Sequence, residues 1–240
     1  MKLAELLTRC PDAFLEGGDD CEVGGITHDS RRVRRGDLFA ALPGLNVHGL
    51  DFLDTALSAG ASVVLSDVGR PSDLDLPWIR SDRPRRVMAA LAWALAEDPH
   101  RALRLIGITG TNGKSTTASL IGQILDAGDV PTAVIGTLGA QFGGRTVAQT
   151  ERTTPESTDL AQILKKVRKA GARVVAMEVS SHALMQDRVD GLGFEVAVWT
   201  NLSRDHLDYH RDMESYFAAK RRLFEWPGLD CAVLNLDDHY

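Results

Sequence analysis

The sequence predicts an α/β protein of two domains, a small α/β domain followed by a parallel-sheet domain built round a phosphate-binding loop. Three observations carry this. The apolar run Leu105-Ile106-Gly107-Ile108-Thr109 breaks into Gly110-Thr111-Asn112-Gly113-Lys114-Ser115-Thr116 and then into a helical pattern. From Arg104 onward, strand and helix patterns alternate regularly, as a parallel sheet with helices on its faces requires. Asp98-Pro99 supplies a natural stop between residues 1–98 and 99–240, because a residue before Pro avoids helical geometry.

The bulk composition narrows the function. With 240 residues, 44% hydrophobic and 25% charged, the chain has enough apolar material for two cores. A net charge of -6 argues against a general nucleic-acid or bilayer-surface binder and favours a metabolite as partner. Cys10, Cys21 and Cys231 are an odd set without C-x-x-C spacing, so reduced thiols are expected rather than disulfides or zinc. Residues Met1 to Cys10 read as an amphipathic helix rather than a signal peptide, and no apolar stretch approaches the ~18 residues of a membrane span. A cytoplasmic location follows.

In the first domain, strands are expected at Val23–Thr27, Asp37–Leu42 and Ser62–Ser66, with helices at Leu50–Ala59 and Arg85–Glu97. Pro71, Pro77 and Pro84 punctuate its later part. The polar and Gly-rich stretches Asp29-Ser30-Arg31, Gly36-Asp37-Leu38-Phe39 and Gly44 to Gly49 fall at strand ends, where loops hold ligands. Arg31, Arg32, Arg34 and Arg35 fit a solvated basic turn equally well.

In the second domain, strands are expected at Leu103–Thr109, Pro131–Gly136, Arg173–Val179, Glu195–Thr200 and Cys231–Leu234. Helices should run over Lys114–Asp126, Glu156–Ala170, Ser181–Val189 and Met213–Phe224, and Gly139–Val147 reads as a hairpin loop. Gly110 and Gly113 let the backbone approach a ligand closely. Lys114 is placed to reach terminal phosphates, and the Ser115 hydroxyl to face Mg²⁺. The loop is a short form, since Ile108 stands where the general pattern has its first Gly. A Gly-rich turn without ligand also fits it when taken alone. Glu178, at the end of a strand expected beside this loop, is where an oxygen ligand for Mg²⁺ belongs. His206 is less diagnostic, because a lone His is commonly a hydrogen-bonded structural residue and Mg²⁺ prefers oxygen.

Taken together, Gly110-Thr111-Asn112-Gly113-Lys114-Ser115-Thr116, Thr153-Thr154-Pro155, Glu178-Val179-Ser180-Ser181-His182, Asn201 through His210, and Lys220 resemble the Mur ligases in order and spacing. Asp29-Ser30-Arg31 with Gly36-Asp37-Leu38-Phe39 extends the resemblance to the family's UDP-binding first domain. It implies an ATP-dependent amide ligase of peptidoglycan synthesis, serving cell-wall biogenesis, cell shape and division. Such an enzyme activates the terminal carboxylate of UDP-MurNAc-L-Ala-D-Glu as an acyl phosphate for attack by the third amino acid, meso-diaminopimelate or L-lysine. Folylpolyglutamate synthases share such a phosphate loop and a P-loop kinase shares only the cradle; neither accounts for the first ~100 residues.

The resemblance also implies roles. Gly110, Thr111, Asn112, Gly113, Lys114, Ser115 and Thr116 would hold ATP; Lys114, His206 and Lys220 would be catalytic; and Ser115, Glu178, His206 and Lys220 would serve Mg²⁺. Lys220 would do so as a carbamate formed with CO₂. Ser30, Leu45, Asn46 and Val47 would meet the uridine and diphosphate, and Thr153, Thr154, Ser180, Gln186 and Arg188 the muramoyl-dipeptide. Arg188 suits a carboxylate or phosphate because its fork bonds two oxygens. His48 stands where many relatives carry Asp. Asn235-Leu236-Asp237-Asp238 resembles the family's nucleotide-contacting turn within its central domain. A fragment is therefore expected, lacking the last part of the ATPase sheet and the amino-acid-binding domain, marginally stable alone and monomeric when full-length. A UDP-sugar and ATP-binding module without complete ligase activity is the alternative.

Overall fold

Successive residues of β3 (Asp37–Ala41) point to opposite faces of a sheet, and four of its five side chains are buried. Leu38 and Ala40 join Leu3, Leu6, Leu65, Ile79 and Leu91 in one layer. Phe39 and Ala41 join Ala56, Val64 and Trp78 in the other. The protein, described here from a computed structural model covering residues 1–44 and 46–240, thus builds a first unit with apolar layers on both sheet faces. That unit spans Met1–Glu97 and the second spans Asp98–Tyr240.

The first sheet has the order β1-β5-β4-β3-β2, with β1 at Phe14–Glu16, β2 at Gly25–Thr27, β4 at Val63–Ser66 and β5 at Trp78–Arg80. Strands β2 to β5 are parallel and β1 is antiparallel to β5. Helices α1 (Leu3–Leu7) and α3 (Pro84–Leu95) pack in one layer and α2 (Leu53–Ser58) in the other. Strands β1 and β5 lie outside the sequence expectation, as three residues each carry too short a pattern to read. The Trp78 indole donates to Val68 O at 2.8 Å and fixes β5 by a contact ten residues back. The helix expected over Leu50–Ala59 divides into a 3-10 turn, Gly49–Phe52, and α2. Helix α3 stops before Glu97 and Asp98, whose φ angles of 68° and 46° are left-handed.

The second sheet has the order β12-β11-β6-β10-β7-β8-β9. Its parallel strands are β6 (Arg104–Thr109), β7 (Thr132–Gly136), β10 (Val174–Glu178), β11 (Phe194–Trp199) and β12 (Cys231–Leu234). The expected hairpin proves to be two short strands, β8 (Gly139–Phe142) and β9 (Arg145–Ala148), which extend the sheet antiparallel to β7. The helices are α4 (Lys114–Ala127), α5 (Ser157–Lys169), α6 (Ser181–Met185), α7 (Leu207–His210) and α8 (Met213–Arg221). Helix α6 ends earlier than expected, and Asp187 beyond it takes φ 52°. Strand β6 is central, with β10 and β11 on either side. The loops after these three strands therefore meet at one carboxyl edge, where α/β sheets form their ligand crevices. Gly107 lets Phe194 and Leu223 pack on β6, since a Cβ there would stand 3.0 Å from one ring and 3.2 Å from the other side chain.

Because Phe39 is wholly buried, Phe39→Ala is expected to cost ~3–5 kcal/mol of stability, read from urea unfolding by intrinsic Trp fluorescence. A change below 1 kcal/mol would contradict this packing.

Candidate functional site

The loop between β6 and α4 is shaped by glycine geometry and braced from the neighbouring strand end. Gly110 has φ 148°, and a Cβ there would lie 1.9 Å from Thr200 Oγ1, so no other residue fits. The Thr111 N–H donates to Asn201 O at 2.8 Å, and the Asn112 N–H to Asn201 Oδ1 at 3.0 Å. Thr200 Oγ1 and Asn201 Nδ2 both donate to Asn112 O, at 2.6 and 3.1 Å, while the Ser203 N–H donates to Thr111 Oγ1 at 2.9 Å. The brace is itself held. Asp238 Oδ2 accepts from the Trp199 indole at 2.7 Å and from the Leu202 N–H at 3.1 Å, and Asn235 Nδ2 donates to Thr200 O at 2.8 Å. Gly113 caps α4 with φ 82°, and Thr116 is exposed in the first turn.

Two lysines converge on this loop. Lys114 Nζ donates to Gly110 O at 2.9 Å and Thr111 O at 2.7 Å. Lys220 Nζ, on α8, donates to the same Gly110 O at 2.7 Å and sits 4.5 Å from the centre of the Tyr216 ring. The sequence pattern alone reads Lys220 as a surface cation, yet it is 1% exposed. Burial first, and the nearby Lys114 charge second, push the Lys220 amine down to about 7, against the pull of Asp205. Burial likewise lowers Lys114. Tyr216 ties the two elements together, its hydroxyl 3.3 Å from Thr111 Oγ1.

Glu178 closes β10 beside the loop and is 2% exposed. Its Oε1 accepts from Ser115 Oγ at 2.8 Å and from the Thr137 N–H at 2.9 Å. A Cβ at Gly136 would stand 2.0 Å from that oxygen, so the cradle exists because residue 136 is Gly. A hydroxyl beside a carboxylate is a hard-oxygen set that fits Mg²⁺. Among the described residues no group of three or more His, Cys, Asp or Glu gathers as a metal site. His206 instead lies in an aromatic cluster, its ring 4.9 Å from His182, with Tyr209 and His210 packed on His182 at 4.2 and 5.5 Å. The Ser115–Glu178 and Lys114–Lys220 pairs are thus brought together, and the His206 ring meets this group at Tyr216, with 6.2 Å between ring centres.

A cleft of about 380 Å³ adjoins these groups, lined among others by Thr153, Thr154, Ser180, His182, Arg188 and His206. Thr154 Oγ1 donates to Glu178 O at 2.9 Å and accepts from the Ser180 N–H at 3.0 Å, fixing the cleft wall to β10. The Arg188 fork already bonds protein oxygens. Its Nε lies 3.0 Å from Glu156 Oε1, and its terminal nitrogens donate to Thr154 O and Gln186 Oε1. In the first unit, Ser30 is buried and opens a 3-10 turn, Ser30–Arg32. Asp29 caps that turn and pairs with Arg31 at 2.8 Å, which holds its carboxyl at about 2. Asn46 and Val47 are exposed, and Leu45 lies outside the described residues. Thr137, Thr200 and Tyr216 carry no local sequence signal, because their contacts come from partners far away in sequence.

A parallel sheet whose central strand runs through this loop into α4, beside a buried carboxylate, puts the second unit in the P-loop α/β class. The Mur ligase middle domain model matches residues 108–240, and the model described as Mur ligase family, catalytic domain matches residues 22–104. The chain belongs to the Mur ligase family. It is 47% identical to a UDP-N-acetylmuramoyl-L-alanyl-D-glutamate--2,6-diaminopimelate ligase of Solibacter usitatus, over 100% of this chain and 49% of that protein. Identity to the ligase of the same name from Xanthomonas campestris pv. campestris is 48%, over 100% of this chain and 48% of that protein. A solved structure of a ligase so named superposes with a TM-score of 0.77 at 35% identity, over 90% of this chain and 44% of that one. The chain spans about half the length of the curated relatives it matches. No helix among the described residues is long and apolar enough to cross a membrane.

The Lys220 amine gives a pH signature. With the folded value near 7 and the unfolded value near 10.5, the unfolded chain holds more protons between them, so stability rises with pH across that window. In CO₂-free buffer, the gain in unfolding free energy from pH 7 to 9 is expected to be about 2 kcal/mol larger for the wild type than for Lys220→Met. Equal pH slopes in urea unfolding would show an amine of ordinary basicity.

Proposed function

We propose that this chain is the UDP-substrate and ATP-binding part of an amide ligase that adds the third amino acid to UDP-MurNAc-L-Ala-D-Glu in cytoplasmic peptidoglycan synthesis. The observation that carries it is the convergence of Lys114 and Lys220 on Gly110 O, beside the Ser115–Glu178 oxygen pair, in a Mur ligase chain. The names of the similar relatives favour diaminopimelate as the amine.

The loop from Gly110 to Thr116 holds ATP phosphates with backbone N–H groups, the start of α4 and the Lys114 ammonium. Ser115 and Glu178 would hold Mg²⁺, with His206 contributing to a second site. The metal would supply charge neutralisation between phosphate and carboxylate. Lys220, whose amine burial lowers to about 7, would present a neutral form to CO₂ near neutral pH, and its carbamate would turn a cation into an oxygen donor. Thr153, Thr154 and Ser180 face the cleft that would take the muramoyl-dipeptide. Arg188 lines the same cleft, bonded to Thr154 O and Gln186 Oε1. Ser30, Leu45, Asn46 and Val47 would meet the uridine diphosphate. The dipeptide carboxylate attacks the γ-phosphorus, ADP leaves, and the incoming amine then displaces phosphate from the acyl phosphate. A second reading is a UDP-sugar and ATP-binding module without complete ligase activity.

Calorimetric titration with Mg²⁺-ATP and UDP-MurNAc-L-Ala-D-Glu tests binding, and product mass after adding diaminopimelate or lysine separates the two readings. Binding of both ligands is expected, with ATP affinity at least about tenfold lower in Lys114→Ala. A ¹³CO₂ signal present in wild type and absent in Lys220→Ala would identify the carbamate. No binding of either ligand would overturn the reading.

A further inference from the structure

Strands β2, β3 and β4 are consecutive parallel neighbours, so their carboxyl ends share one edge of the first sheet. Ser30 follows β2, and the turn carrying Asn46 and Val47 follows β3. The residue that follows β4 is Asp67, which the proposed function leaves without a role.

Asp67 reaches His48. His48 Nε2 lies 2.9 Å from Asp67 Oδ1, while His48 Nδ1 accepts the Leu50 N–H at 3.1 Å. With Nδ1 used as an acceptor, the proton of the neutral ring sits on Nε2 and points at the carboxylate, so the tautomer follows from the partners. The His48 backbone is held too, its N–H donating to Asp51 Oδ2 at 3.0 Å.

The preceding turn has little slack. Pro43 and His48 form an antiparallel bridge, and the Gly49 N–H donates to Leu42 O at 2.8 Å. A Cβ on Gly44 would be 2.4 Å from Val47 O, and one on Gly49 would be 2.6 Å from the Ala41 Cα. The turn is therefore pressed against β3, and where His48 goes, Asn46 and Val47 follow. The two bonded side chains remain 28% and 32% exposed, so the contact fills no core.

We propose that Asp67 and His48 are a positioning pair for a uridine diphosphate site, Asp67 fixing from β4 the imidazole that sets the Asn46–Val47 turn after β3. The proposal rests on the reading of the first unit as the UDP-binding domain. It assigns Asp67 no contact with the ligand; its effect passes through His48.

Titration of the full chain with UDP, for wild type, Asp67→Ala and Asp67→Asn, tests it, alongside long-range ¹⁵N NMR of the His48 ring. The wild type is expected to bind UDP and to show the Nε2–H tautomer. Asp67→Ala should lower affinity about fivefold or more and mix the tautomers, with a thermal midpoint close to wild type. Asp67→Asn should stay within about twofold, because its amide oxygen still accepts from Nε2. Wild-type affinity in Asp67→Ala, or equal losses in both variants, would overturn the pair while leaving the UDP reading intact. A wild type that ignores UDP would overturn the UDP reading and the pair with it.

Discussion

One carbonyl oxygen, that of Gly110, accepts from two lysine ammonium groups at 2.9 and 2.7 Å, and the second unit is arranged round that fact. Taking an ammonium out of water costs several kcal/mol, and a second like charge adds to the cost. A single hydrogen bond returns about 1 kcal/mol, so the acceptor cannot balance the pair. Proton loss from Lys220 is the cheapest relief, and its amine falls to about 7 accordingly. An anion at the loop gains from the same excess of positive charge. The same crowding therefore favours an anion at the loop or, without one, the neutral form of the Lys220 amine.

The carbonyl must stay where it is for this to hold, and the brace from residues 200–203 keeps it there. A glycine-rich loop loses more conformational entropy on ordering than any other, and its own Lys114 side chain fixes only the Gly110 and Thr111 carbonyls. The rest of the order comes from outside. Thr200, Asn201 and Ser203 supply it through polar contacts, and Thr200 and Asn201 fit only because Gly110 has no Cβ. Asp238 and Asn235 pass that order on from the turn after β12.

Spacing made the loop, Ser115 and Glu178 legible, because a strand, a turn and a helix start are local and the carboxylate closes the adjacent strand. What escaped has no local signal. Thr137 meets Glu178 across 41 residues, Thr200 meets Asn112 across 88 and Tyr216 meets Thr111 across 105. Helical spacing gave Lys220 a surface position because the groups that bury it belong to other elements; only the family resemblance pointed to it. The ion pair of Arg188 has no local signal for a similar reason, Glu156 standing 32 residues earlier. In the first unit, β5 was lost between prolines since three residues show no period, while β3 and β4 were plain from their apolar runs.

Both units apply one solution at their carboxyl edges. A turn leaves one parallel strand, and a polar side chain from beyond another strand of the sheet pins it: Asp67 bonds His48 at the end of the turn after β3, and Thr200 and Asn201 bond the loop after β6. An apolar anchor would hold either turn as firmly, but it would need bulk where ligand must approach the backbone. A hydrogen bond orders the turn at the cost of one oxygen's width, and it comes from a residue the ligand need not touch. On this argument the residues that set affinity in such sites extend beyond the contact residues to the next strand end, where a motif search along the loop has no reason to look.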